Sequence, residues 1–142
     1  MRYLAVDYGE KRSGLAVSDP GASMAFPRTT LIMRGKDLFF SELLALAESE
    51  GVQAFVIGLP LHGNGEESES SRRVRNMAAR LKRRTQLPVY FMPETLSSHD
   101  AEQRLRETGK TGRRLQESLD SVAAAAILES FLALPEGRRI LA

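Results

Sequence analysis

Tyr3-Leu4-Ala5-Val6-Asp7-Tyr8-Gly9-Glu10-Lys11-Arg12-Ser13-Gly14-Leu15-Ala16-Val17-Ser18-Asp19 is the stretch on which the fold turns. Residues 3–6 form an apolar run of strand length, and residues 15–17 form a second. Two glycines and two basic residues lie between them, so the pair reads as a hairpin. Asp7 falls at the carboxyl end of the first strand, where open α/β sheets place their ligand chemistry. A carboxylate there is costly unless a basic side chain or a metal ion meets it. The other reading is an Asp that caps its own turn.

Working outward, Pro20-Gly21 makes a break, and residues 25–33 return as a third strand in which Pro27 cannot donate to a ladder. Arg34-Gly35-Lys36 is a turn, with Asp37 as the expected N-cap of a helix whose stripe is Phe39, Phe40, Leu43, Leu44 and Ala47. Gly51 stops that helix. Residues 52–59 are the clearest buried strand, and they run into the loop Pro60-Leu61-His62-Gly63-Asn64-Gly65. The next helix is acidic at its start (Glu66, Glu67, Glu69) and basic at its end (Arg80, Lys82, Arg83, Arg84), which suits a helix dipole. Val74, Met77, Ala78 and Leu81 make its core stripe, leaving Arg72, Arg73, Arg75 and Arg80 as a solvated face.

Residues 87–92 read as another strand, ending at Pro93-Glu94. Ser97 and Asp100 suggest a helix start, with Ala101 and Leu105 inward and Gly109 at its end. A turn-rich basic segment follows (Lys110, Thr111, Gly112, Arg113, Arg114). Ser118 or Asp120 is expected to open the last helix, whose residues 122–128 are apolar on every face and so belong against the sheet. The tail after Pro135 is expected to fray. Strands first, then alternating helix and strand, predict an α/β fold with a mixed five-stranded sheet, antiparallel on one side and parallel on the other.

The chain of 142 residues is expected to be a single domain, 1–142, with 42% hydrophobic and 27% charged residues. It has no cysteine, which excludes disulfides and thiolate metal sites. The net charge of +2 does not by itself argue for nucleic acid; the clustering of the charges matters more. No apolar run approaches the roughly 18 residues of a membrane span, and no leader pattern opens the chain, so a cytoplasmic protein without a membrane partner is expected.

Three acids occupy comparable places: Asp7 and Glu94 at strand ends, and Asp120 at a helix start. If those ends are adjacent the carboxylates converge, and like charges that close are tenable only with cations between them. Oxygen ligands without cysteine suit Mg²⁺ or Mn²⁺, and two such ions about 4 Å apart serve phosphodiester cleavage. Individually, Asp120 reads equally as a dipole-favoured helix acid and Glu94 as a solvated side chain.

The segment Asp7–Asp19 resembles the opening signature of the YqgF (RuvX-like) family of the RNase H-like superfamily. Gly58-Leu59-Pro60-Leu61 with Gly65, Glu94-Thr95-Leu96-Ser97-Ser98, and Asp120-Ser121-Val122-Ala123-Ala124 with Ile127-Leu128 resemble its later blocks, in family order. The resemblance implies an RNase H-like fold and a divalent-metal nuclease site at Asp7, Glu94 and Asp120. It also implies a role in maturing the 5′ end of pre-16S ribosomal RNA. The older family label is Holliday-junction resolvase, by likeness to the RuvC resolvases. The sequence departs from the family pattern where Pro93 replaces an Asp, Thr95 an Arg and His62 an Asn. It departs again where Glu117-Ser118-Leu119 precedes Asp120 in place of a basic residue. No departure removes a proposed metal ligand; each bears on phosphate contacts.

Lys11 and Arg12 beside Asp7 are candidates to hold a phosphate, against a reading as exposed turn charges. Lys110, Arg113 and Arg114 are candidates to close over substrate, with Gly109 and Gly112 giving mobility. His62 and His99 read as surface histidines. Gly9 to Gly14 has P-loop spacing but lacks the Lys and Ser/Thr that a nucleotide site requires. The reading is therefore a metal-dependent nuclease acting on nucleic acid, structured RNA or branched DNA, as a monomer or homodimer. Its rivals are a non-catalytic nucleic-acid-binding module and, with no room for a second domain, a phosphotransferase.

Overall fold

The computed structural model describes residues 1–94 and 112–142. The expected helix over 97–109, with His99, Thr95 and Lys110, lies outside the described residues. Among the described residues, six strands and three helices follow in the order β1 (Tyr3–Asp7), β2 (Arg12–Ser18), β3 (Ala25–Ile32), α1 (Lys36–Ser49), β4 (Ala54–Pro60), α2 (Glu69–Lys82), β5 (Val89–Glu94), α3 (Gly112–Ala133) and β6 (Ile140–Leu141). They make one mixed sheet in the order β3-β2-β1-β4-β5-β6. β1 is antiparallel to β2 and parallel to β4, β4 is parallel to β5, and β6 returns antiparallel to β5. The α/β class holds, with a sixth strand added. The tail expected to fray forms a short 3-10 turn, Glu136–Arg138, and then pairs with the sheet.

Alternation along the strands sends different residues to the two faces. Leu4, Val6, Leu15, Val17, Phe55, Ile57 and Leu59 pack with Phe39, Phe40 and Leu43 of α1 and Val74, Met77 and Leu81 of α2. Fully burying each such side chain contributes about 1.5–3 kcal/mol. The opposite face is built of smaller residues, Ala5, Ala16, Ala54 and Val56, under Ala124, Ile127, Leu128 and Phe131 of α3. Small residues let a helix approach closely, and glycines do so further. A β-carbon on Gly14 would overlap the backbone carbonyl of Asp120, and one on Gly58 would stand 2.5 Å from Ile127 Cδ1.

Three local expectations are corrected. Gly35, at φ 134°, is the N-cap of α1 and no side chain caps it, so Asp37 sits in the first turn and not at the cap. α3 begins at Gly112, so residues 112–114 are helical and Asp120 is two turns inside the helix, not at its start. Pro27 is accommodated because β3 is the edge strand and its register shifts opposite Gly14/Ala16. α2 carries a capping box missed in the sequence: Ser68 Oγ accepts from Ser71 N, and Ser71 Oγ accepts from Ser68 N. Ser68 Oγ also donates to Pro60 O at 2.8 Å, tying the helix start to the end of β4.

Candidate active site

β1, β4 and β5 run parallel, so Asp7, Pro60 and Glu94 end them at one rim of the sheet, where Pro60 pairs with Glu94. Asp7 lies directly across from Gly14 in the β1–β2 ladder. Opposed residues of a ladder share a face, and the empty β-position of Gly14 is filled by the Asp120 backbone. Asp7 therefore faces α3 beside Asp120. Tyr90 and Met92 pack against the α3 side, so Glu94, two further along β5, points to that side as well.

Asp7 senses both of the other acids. The Asp7 carboxyl is raised from 3.8 to about 6, first by burial, then by the charge of Asp120 and then by that of Glu94. Among the described residues no hydrogen bond or ion pair meets the Asp7 carboxylate. Asp120 is engaged: Arg12 Nε donates to its Oδ2 at 3.0 Å. The reading of Asp7 as an Asp that caps its own turn gives way here, because Gly9 N donates to Ser13 Oγ at 3.2 Å and closes that turn itself. Leu61 N donates to Glu94 O at 3.1 Å, which fixes the backbone of the third acid against the loop after β4.

The donors are carboxylate oxygens, with one half-buried and, among the described residues, lacking an ion pair, and that chemistry fits a hard divalent cation. The cage is not closed as it stands. Among the described residues no three Asp, Glu, His or Cys groups are gathered closely enough to hold one ion. Arg12 occupies Asp120 instead.

The basic candidates separate. Arg12 turns to the acids, whereas Lys11 is exposed. Arg113 and Arg114 are on the first turn of α3 rather than on a loop. His62 is exposed on the loop after β4, as a surface histidine should be. Arg73 and Arg80, read as a solvated helix face, are exposed as expected and also line a cleft of about 290 Å³ between α1, α2 and the β1–β2 turn, together with Tyr8 and Lys36. Seven residues apart on one helix, they share a face, and that spacing was the available signal.

No helix among the described residues is long and apolar enough to cross a membrane. The profile of a family described as "RuvX: Holliday junction resolvase" matches residues 1–134. A protein of Nitratidesulfovibrio vulgaris (strain DP4) named "Putative pre-16S rRNA nuclease" is 57% identical over 142 residues, the whole of both chains. One of the same name from Lawsonia intracellularis is 41% identical over 140 residues, 99% of each chain. Among solved structures, T. thermophilus RuvC in complex with a Holliday junction substrate superposes with a TM-score of 0.61 at 16% identity, covering 100% of both chains. The likeness to RuvC is one of fold.

Proposed function

The chain belongs to the RuvX family, and from that premise we propose that it is a nuclease in which Asp7, Glu94 and Asp120 hold divalent cations at the rim of the sheet. The observation that supports this most is the raised Asp7 carboxyl, which both other acids push upward although the three are far apart in sequence. Magnesium or manganese bound there, as one ion or two, supplies activation of a water and stabilisation of the leaving oxygen.

The chain's own residues do the rest. Arg12 begins on Asp120. With that carboxylate given over to a bound cation, Arg12 would stand free beside the site to donate charge-assisted hydrogen bonds to a non-bridging phosphate oxygen. Lys11, exposed in the same turn, holds a neighbouring phosphate, and Lys110, Arg113 and Arg114 add further cations for the strand. Such contacts position a backbone without reading its sequence.

For substrate we propose the precursor of small-subunit ribosomal RNA, trimmed at its 5′ end in the cytoplasm during ribosome assembly. Full-length relatives carrying that name support it. The family description favours a second reading, a resolvase of branched DNA. The test is to incubate labelled precursor RNA and a four-way DNA junction with the protein, with and without Mn²⁺. Manganese-dependent trimming of the RNA that Asp7→Asn abolishes is expected. Cutting of the junction alone selects the second reading, and cleavage unchanged in Asp7→Asn removes both.

A further inference from the structure

On the face of the sheet away from α3 lies the cleft between α1, α2 and the β1–β2 turn, about 290 Å³ in volume. That is at the lower end of ligand pockets, which run from about 300 to 1,000 Å³, and suits a single small molecule or one unit of a polymer. Its floor is apolar, with Phe39, Phe40 and Met77 buried and Met33 partly so. Its rim is cationic: Lys36, Arg73 and Arg80 stand against the single carboxylate of Glu10. Arg73 is already bound to Glu10 at 2.6 Å. Among the described residues Arg80 and Lys36 have no ion pair, and Asn76 has no side-chain hydrogen bond.

Tyr8 joins the two halves of this cleft. Its ring packs edge-on against Phe39, with centroids 5.5 Å apart. It lines the cleft together with both Arg73 and Arg80. A ligand that was only a phosphate would leave the apolar floor unused. A ligand that was only apolar would desolvate cations without pairing them. The lining asks for a flat apolar body with an anionic end and polar edges.

We propose that this cleft is a nucleotide-binding pocket, taking the base against Tyr8 and the apolar floor and the phosphate on Arg80 and Lys36. Tyr8 follows Asp7 directly in sequence and points to the opposite face. The pocket thus opens beside the carboxylate rim without sharing a side chain with it. The nucleotide has two possible sources, a free mononucleotide or one unit of a strand that also crosses the rim; only the second source rests on the nuclease reading.

The experiment is calorimetric titration of the full chain in EDTA with adenosine 5′-monophosphate, with adenosine and inorganic phosphate as its two fragments, and with a short single-stranded RNA. Saturable binding of the monophosphate, tighter than either fragment, is expected. Arg80→Gln should weaken it about tenfold, the value of one charge-assisted contact. Arg72→Gln, an exposed arginine of α2 outside the pocket, should leave it unchanged. Binding no tighter than that of phosphate, or equal loss in the two variants, would overturn the pocket. If Arg80→Gln also weakens the RNA in an Asp7→Asn background, the strand is the source; if only the monophosphate is affected, a free nucleotide is. The titration contains no metal, so a protein that cleaves nothing can still fill the pocket, and the two failures are told apart.

Discussion

The Asp120 carbonyl rests in the space that a side chain at Gly14 would take. One missing methyl group therefore sets how closely α3 lies on β2, and with it the position of an acid 106 residues further along the chain.

Gly14→Ala is expected to push α3 off the sheet at the level of Asp120. Overpacking of this kind costs about 1–3 kcal/mol, and more where backbone is the obstacle. Urea unfolding should show that loss, and metal-dependent cleavage should fall further than the fraction unfolded explains. Wild-type stability in Gly14→Ala would mean that the helix has room to spare.

The Asp7 carboxyl, pushed from 3.8 up to about 6 by burial and by its two acidic neighbours, gives metal-free protein a definite pH dependence. The folded state keeps that proton when the unfolded chain has lost it. The contribution of Asp7 to stability is therefore greatest below about pH 4, falls as pH rises through the window, and is lost above about pH 6. A shift of this size corresponds to about 3 kcal/mol. Asp7→Asn in EDTA should flatten this slope and be the more stable protein at neutral pH, checked by urea unfolding at both ends of the window.

Manganese should reverse the same penalty. An ion that binds only the folded state stabilises by about 2.7 kcal/mol at a hundredfold excess over its Kd. A rise in thermal midpoint with Mn²⁺ is expected in the wild type and should be largely absent in Asp7→Asn and Asp120→Asn. Equal rises in all three proteins would place the ion elsewhere.

Arg12 competes with cations for Asp120 across 108 residues of sequence. Removing its charge in Arg12→Gln should tighten Mn²⁺ binding about tenfold while slowing turnover, because the same guanidinium then fails to meet the phosphate. Weaker Mn²⁺ binding in that variant would show that Arg12 supports the acids instead of screening them.

The sheet was legible because its strands are short apolar runs punctuated by glycine and proline. The convergence of Asp7 and Glu94 followed from placing both at parallel strand ends. Asp120 was expected at the start of its helix and lies two turns inside it. The two glycines and three bases of residues 109–114 look locally like a turn, yet α3 begins at Gly112. Nothing local marks the Arg12–Asp120 pair either. The Ser68–Ser71 box was readable, but a hydroxyl stands where Glu or Gln is usual. The tail was lost for want of periodicity. Its anchor is Arg139, whose guanidinium lies 4.7 Å from the Phe131 ring centre and donates to Tyr3 Oη at 3.1 Å.

That tail has a consequence for how copies of the chain treat one another. β6 covers β5 through only two residue pairs, Tyr90 with Leu141 and Phe91 with Ile140, helped by Ala142 N donating to Val89 O at 2.8 Å. A bare strand edge is a template for a foreign strand. Trimmed behind Arg138, the protein is expected to turn sticky, and light scattering should report clumping that grows with concentration while the intact chain stays dispersed.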